Sequence, residues 1–254
     1  MNHASLIDGA RLSGAQRLIY RHRDLEQLAG QLAQSRARRK LIVTDALFSM
    51  DGTLAPLAAL TELAAQHGAW ILLDEAHTGG VYGPGGAGYA RALGLPLPEL
   101  LMGTLSKAYG AVGGYVAARR EVTDYLLNRA RPFIFTTGLP PAAAAAALIH
   151  LLLAAEMEPQ RAQLHARAAQ LRSRLEAAGW NLAGSESQVI PLVAGEERAA
   201  LALADRLRAA GILGVAIRPP TVAAGQARVR LTLTAAQRGE DLNHLCRVLG
   251  CGSL

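Results

Sequence analysis

Lys107 is one of only two lysines among 26 basic residues, the other being Lys40. It stands in "GTLSKAYGAVGGY", between small and hydroxylated residues and with no acid nearby in sequence. Arg stays protonated in proteins, so a lysine kept in so Arg-rich a chain points to chemistry that needs a free amine. Such an amine forms Schiff bases with carbonyl carbons, and desolvation or neighbouring positive charge would lower its pKa for that task. A second group lies earlier, in "ILLDEAHTGG" at 71–80, where Asp74 directly follows an apolar run and His77 comes three positions later. Burying such groups is costly unless something pairs with them. A lysine that takes an aldehyde, with an aspartate that keeps a ring nitrogen protonated, is the pattern of a pyridoxal-phosphate site. His77 would then meet the ring's phenolic oxygen, and Thr104 and Ser106 would offer hydroxyls to the phosphate.

Asp-Glu-Ala-His after an apolar strand also serves one class of helicases, where the acid holds magnesium on a nucleotide. That use requires a phosphate loop, G-x-x-x-x-G-K-[ST]. Lys40 is followed by Leu and Lys107 by Ala, so neither supplies one.

The elements that must position these residues follow from the hydrophobic pattern. Leu41–Val43, Ala69–Leu73 and Leu100–Met102 read as short buried strands, and 25–38 and 56–67 as helices with an apolar face. This alternation predicts an α/β domain with a mostly parallel sheet, in which ligands bind beyond the carboxyl ends of the strands. Asp74 and Lys107 both lie just past such ends. The stretch 82–88, "YGPGGAG", reads as a cluster of turns. Helices are expected over 142–155 and 160–178. Strand-like "VIPLVAG" (189–195), helix-like 197–211, and strand-like "LGVAIRPP" (213–220) and "ARVRLTLT" (227–234) then suggest a smaller α+β domain. The expected division is 1–155 and 156–254.

The 254 residues are 51% hydrophobic and 18% charged, a globular composition with ample core. Net charge is +6 with a pI of about 9.8. The arginines are dispersed over helical segments such as 161–174, which reads as solvated faces, so no nucleic-acid partner is expected. The longest apolar run, 142–155, is interrupted by His150 and is too short to span a bilayer. No basic region followed by an apolar stretch opens the chain, and the expectation is a cytoplasmic protein without a membrane partner. Cys246 and Cys251 have no ligand-spaced partners, so free thiols are expected and no metal site.

Several ordered motifs resemble the α-oxoamine synthases, fold-type I pyridoxal-phosphate enzymes. They are "NHASLIDG" (2–9), "FSMDG" (48–52), "DEAH" (74–77), "GTLSKAYG" (103–110), "FTTGLPP" (135–141), "IRPPTV" (217–222) and "ARVRLTLT" (227–234). The resemblance implies a pyridoxal-phosphate large domain followed by a small α+β domain. It further implies that Lys107 binds the cofactor and moves the Cα proton, that Asp74 pairs with the ring nitrogen and His77 with the ring oxygen, and that His3 stacks on the ring. Ser49 would lie beside the cofactor and Thr104 would contact its phosphate. Thr136 or Thr137 would reach the phosphate of a neighbouring subunit in a homodimer. Arg218 would clamp the amino-acid carboxylate, with Thr221 near the bound substrate.

Within the family, "IRPPTV" followed by "RLTLTAA" looks most like the branch that condenses L-alanine with a pimeloyl thioester, on CoA or acyl carrier protein, in biotin biosynthesis. "GTLSKAYGAVGGY" and "FIFTTGLPP" would also suit the glycine-using 5-aminolevulinate synthase branch, and a non-catalytic fragment is the third alternative. The resemblance starts at the second residue. Family members carry a further N-terminal region that completes the large domain and adds a phosphate-binding loop and a substrate arginine, so the chain is expected to be N-terminally truncated. Thr78 stands where the family usually has Gly or Ser, and "GGAG" (85–88) lacks the family's usual Arg.

Overall fold

The computed structural model describes residues 1–252 and divides into two compact units. The first comprises Met1–Leu47 and Ala55–Glu158; the second comprises Phe48–Leu54 and the residues from Pro159 onward.

In the first unit, α1 (Ala4–Leu12) starts at His3 and α2 (Leu25–Gln34) at Asp24, whose carboxylate accepts the Gln27 amide and so satisfies an end of the helix. Strand β1 (Lys40–Asp45) is followed by α3 (Leu57–His67) and β2 (Ala69–Asp74). β1 and β2 pair in parallel over their whole length, from Lys40 opposite Ala69 to Asp45 opposite Asp74. Leu57, Leu60 and Ala64 form the buried face of α3, which packs on β2, and Ile42, Ile71 and Leu73 are buried within the sheet. Each of these leucine and isoleucine side chains contributes roughly 1.5–3 kcal/mol by leaving water. α3 stops at Gly68, whose φ of +59° ends the helix in a conformation that a Cβ would strain.

A short helix, α4 (Tyr89–Ala92), precedes β3 (Leu100–Thr104), which is parallel to β2. β4 (Gly114–Ala118) then closes the sheet antiparallel to β3, giving the order β1-β2-β3-β4. The expected mostly parallel sheet is therefore present. The hydrophobic pattern did not reveal β4: "YVAA" follows two glycines and runs straight into two arginines, and none of its strand residues is buried. Helices α5 (Arg120–Arg129), α6 (Arg131–Ile134) and α7 (Pro141–Glu156) follow. α7 opens with Pro at its first position, where the missing N–H costs nothing, and its alanines favour the helix. Ala147 is its buried residue, while Leu148, Ile149, Leu152 and Leu153 are exposed.

The second unit contains α8 (Glu158–Ala177) for nearly all its length, β5 (Val189–Gly195), α9 (Glu197–Ala209), β6 (Val215–Ile217), β7 (Ala227–Thr232) and α10 (Gly239–Leu249). Its antiparallel sheet has the order β5-β7-β6. Pro191 is tolerated because β5 is an edge strand. Leu203 and Leu207 of α9 are buried where that helix packs on β5 and β7. The fifth strand-like segment thus resolves into a three-residue β6. α10 was not anticipated, although Leu242, Leu245, Cys246 and Leu249 mark one helical face. Cys246 and Cys251 are free and buried, and burial together with the neighbouring Cys251 pushes the Cys246 thiol up to about 12. Among the described residues, no single helix is long and apolar enough to cross a membrane.

Candidate functional site

The carboxyl ends of β1, β2 and β3 carry Asp45, Asp74 and Thr104 in turn. Parallel pairing sets Asp45 directly opposite Asp74, and the Ala46 amide donates to the Asp74 carbonyl at 2.8 Å. Both acids are buried, with 4% and 3% of their surface exposed. Asp74 Oδ1 accepts the Ala76 amide at 2.9 Å, which turns the chain just past the strand. Asp45 Oδ2 accepts the backbone amide of His3 at 2.9 Å, tying the start of α1 to the strand ends. Burial pushes the Asp45 carboxyl up to about 7; the Asp74 charge acts in the same direction, while the His3 amide, the chain's N-terminus and Lys107 oppose it. The His3 ring is exposed, and its Nδ1 lies 2.8 Å from Ser5 Oγ.

Sequence reasoning missed Asp45. A signal was available: "KLIVTD" and "AWILLD" have the same length, contain an apolar run and close on Asp.

Glu75 and Thr78 turn out to be supports. Glu75 is 2% exposed and accepts the amides of Tyr89 (2.7 Å) and Ala90 (3.0 Å) and the Thr78 hydroxyl (2.9 Å). Burial raises its pKa, and these hydrogen bonds counter that. The carboxylate fastens the start of α4, and with it the turn-rich loop 82–88, to the end of β2. Gly88, at φ +102°, is required there, since a Cβ would lie 1.8 Å from Glu75 Oε2. Thr78, noted above as a departure from the family pattern, is the hydroxyl donor of this arrangement. His77 is half-buried in the turn that follows Asp74.

Beyond β3 the chain turns tightly. The Leu105 amide donates to Gly113 O, Ala111 to Leu105 O and Gly110 to Lys107 O, at 2.8–3.0 Å. Thr104 Oγ1 lies 2.7 Å from Ser106 Oγ and 3.0 Å from Gly113 O. The two hydroxyls expected to serve a phosphate are thus adjacent, at the mouth of this turn. Lys107 sits at its tip and is exposed. Tyr109, by contrast, is buried, and burial pushes the nearby Tyr115 hydroxyl up to about 12.

The first unit thus gathers His3, Asp74, His77, Thr104 and Lys107 around the strand ends. Thr136 and Thr137 are exposed in the irregular segment that precedes α7. Ser49 belongs to the second unit, half-buried, and its carbonyl accepts from Arg230 at 3.3 Å. Arg218 and Thr221 also belong to the second unit, exposed at either end of one turn closed by the Thr221 amide on Arg218 O at 3.0 Å. Among the described residues, no three His, Cys, Asp or Glu side chains come together as a metal site.

Comparison with known proteins places this geometry in context. A family model described as aminotransferase class I and II matches residues 1–249. An 8-amino-7-oxononanoate synthase from Anaeromyxobacter dehalogenans (strain 2CP-C) is 52% identical over 237 residues, which are 93% of this chain and 60% of that protein. The chain therefore spans about three fifths of the length of that curated relative. A serine palmitoyltransferase from S. paucimobilis, solved with a bound PLP–myriocin aldimine, superposes with a TM-score of 0.92 at 30% identity, over 98% of this chain and 63% of that one. An 8-amino-7-oxononanoate synthase from Francisella tularensis superposes with a TM-score of 0.84 at 28% identity, over 98% and 72%.

Proposed function

The chain belongs to the class I and II aminotransferase family, with its fold-type I α/β architecture, and from that premise we propose that it acts in the pyridoxal-phosphate-dependent condensation of L-alanine with a pimeloyl thioester to give 8-amino-7-oxononanoate. The observation that carries the reading is the pair Asp74 and Lys107, one buried at the end of β2 and the other on the turn after β3. The residues fit the cofactor chemically. A buried carboxylate suits a cationic ring nitrogen, an accessible lysine suits an aldehyde, and the adjacent Thr104 and Ser106 hydroxyls suit a phosphate.

When bound, pyridoxal phosphate supplies an electron-accepting ring that stabilises a carbanion at the amino-acid Cα. Asp74 holds the ring nitrogen protonated, and its burial strengthens that interaction. Lys107 would hold the cofactor through its amine and, once freed from it by the substrate, would carry the Cα proton. His77 donates to the ring oxygen, and His3, held at the strand ends through its backbone, covers one ring face. Thr104 orients the phosphate, and Ser49 is assigned a place beside the cofactor.

The planar guanidinium of Arg218 suits a bidentate grip on the alanine carboxylate, with Thr221 at the other end of the same turn. Thr136 and Thr137 are assigned to the phosphate held by a second copy of the chain, which makes the working form a homodimer. The acyl donor is pimeloyl-CoA or pimeloyl-acyl carrier protein.

The test is the visible absorbance of the protein with pyridoxal phosphate, against Lys107→Ala. A band that requires Lys107 and shifts more with L-alanine than with glycine is expected. No Lys107-dependent band would refute the reading, and a larger shift with glycine would move it to the glycine-using branch.

A further inference from the structure

We propose that His150 is a positioning residue that fixes the Lys107 turn to α7. Among the residues of "PAAAAAALIHLLLAAE", His150 is the one polar side chain before the terminal Glu156. It stands three positions after Ala147, the buried residue of the helix, so the two share the inward face. That face is made of small residues plus one imidazole, while the bulky side chains Leu148, Ile149, Leu152 and Leu153 point outward. Packing by itself would favour the opposite arrangement, which leaves the inward histidine to be explained by what it touches.

His150 Nδ1 lies 2.5 Å from the carbonyl oxygen of Tyr109, two residues beyond Lys107. At that distance from a carbonyl, which can only accept, Nδ1 carries the proton and donates it. The same nitrogen lies 4.0 Å from the Cβ position of Gly110, which has φ +56°. The turn is closed within itself by the Gly110 amide on Lys107 O and the Ala111 amide on Leu105 O. Those bonds set its shape, and Ala108 and the buried Tyr109 ring pack beside Gly80. Through the Tyr109 carbonyl, His150 adds a hydrogen bond from α7 to this turn. The backbone of the turn sets where the Lys107 stem starts, so how firmly that backbone is held bears on where the amine is presented.

The role assigned to Lys107 rests on the function proposed above, whereas the attachment itself does not, so the two are tested separately. The first readout is backbone hydrogen exchange without cofactor. His150→Leu removes the donor, and the Gly110 and Ala111 amides are expected to exchange about tenfold faster, the loss of roughly one net hydrogen bond. Amides of β1 and β2 serve as the fold control and are expected to keep their protection. His150→Asn, which carries an N–H close to the position of Nδ1, is expected to restore most of the protection. Should the Leu variant not fold, His150→Ala is the second donorless variant, chosen as the stronger helix former.

The second readout is the rate at which Lys107 is trapped by pyridoxal phosphate and borohydride, expected to fall in the donorless variants and to recover in His150→Asn. Unchanged exchange at Gly110 and Ala111 in a folded donorless variant would overturn the attachment. So would His150→Asn behaving like the donorless variants. Faster exchange with an unaltered trapping rate would overturn the positioning role. Failure of wild-type protein to trap at Lys107 would instead count against the proposed function.

Discussion

In the second unit the buried carboxylate of Asp51 meets the guanidinium of Arg228; in the first, Asp45 and Asp74 lie opposite one another at the ends of β1 and β2. The Asp51 pair is fully answered, since Arg228 also donates to the Met50 and Gln226 carbonyls. The Asp45–Asp74 pair places two carboxyls together, and burial, with the Asp74 charge adding to it, pushes the Asp45 carboxyl up to about 7. A buried ion pair costs little more once made and locks a segment in place, here Phe48–Leu54. A juxtaposition of like charges is a standing cost that a cationic ligand group relieves on binding, which is why such pairs mark functional ground. Glu75 lies between these cases, buried with no cation but satisfied by three donors.

The contrast can be broken most severely at Asp51. Asp51→Ala leaves Arg228 charged, buried and unpaired, and urea unfolding should show a loss of about 3–5 kcal/mol. Glu75→Gln puts an amide donor among donors, and the same measurement should show a loss of about 2–3 kcal/mol, with increased proteolysis in the loop 82–88.

Asp45→Asn should move stability the other way. The folded-state pKa of Asp45 is raised above its unfolded value, so its contribution to stability is full below about pH 4 and is lost as pH rises through about 7. The variant keeps an acceptor for the His3 amide but carries no charge. It should therefore be more stable than the parent by about 2 kcal/mol at pH 8, with the difference vanishing toward pH 4. A variant less stable at pH 8 would place Asp45 with Asp51 as a structural acid. The smallest effect is expected at Asp24, a helix-capping acid with no buried charge partner, where Asp24→Ala should cost about 1 kcal/mol in thermal unfolding.

The strand ends were legible in the sequence because chemistry and periodicity coincide there. "AWILLD" is both a buried strand and a placed acid, and the lysine turn announces itself by its glycines and hydroxyls. Asp45 was passed over because an Asp after "LIVT" reads as an ordinary strand end until pairing sets it beside Asp74. β4 escaped because an edge strand with no buried residue leaves no hydrophobic pattern. Lys107 stood out by its type and its small and hydroxylated neighbours, but its exposure is set by the fold and not by local sequence. His150 was noticed only as an interruption of an apolar run, since its partner lies 41 residues away.

His3 is held by Asp45 through its backbone amide and not through its ring. The address of position 3 is thus written in the main chain, while the His3 ring adds a cap to α1 by accepting the Ser5 amide at 3.3 Å. Nineteen of the twenty amino acids retain the N–H that the carboxylate grips; proline alone would undo the mooring. Evolution, or a protein engineer, can therefore rewrite what covers the strand ends one side chain at a time while the segment that presents it stays put.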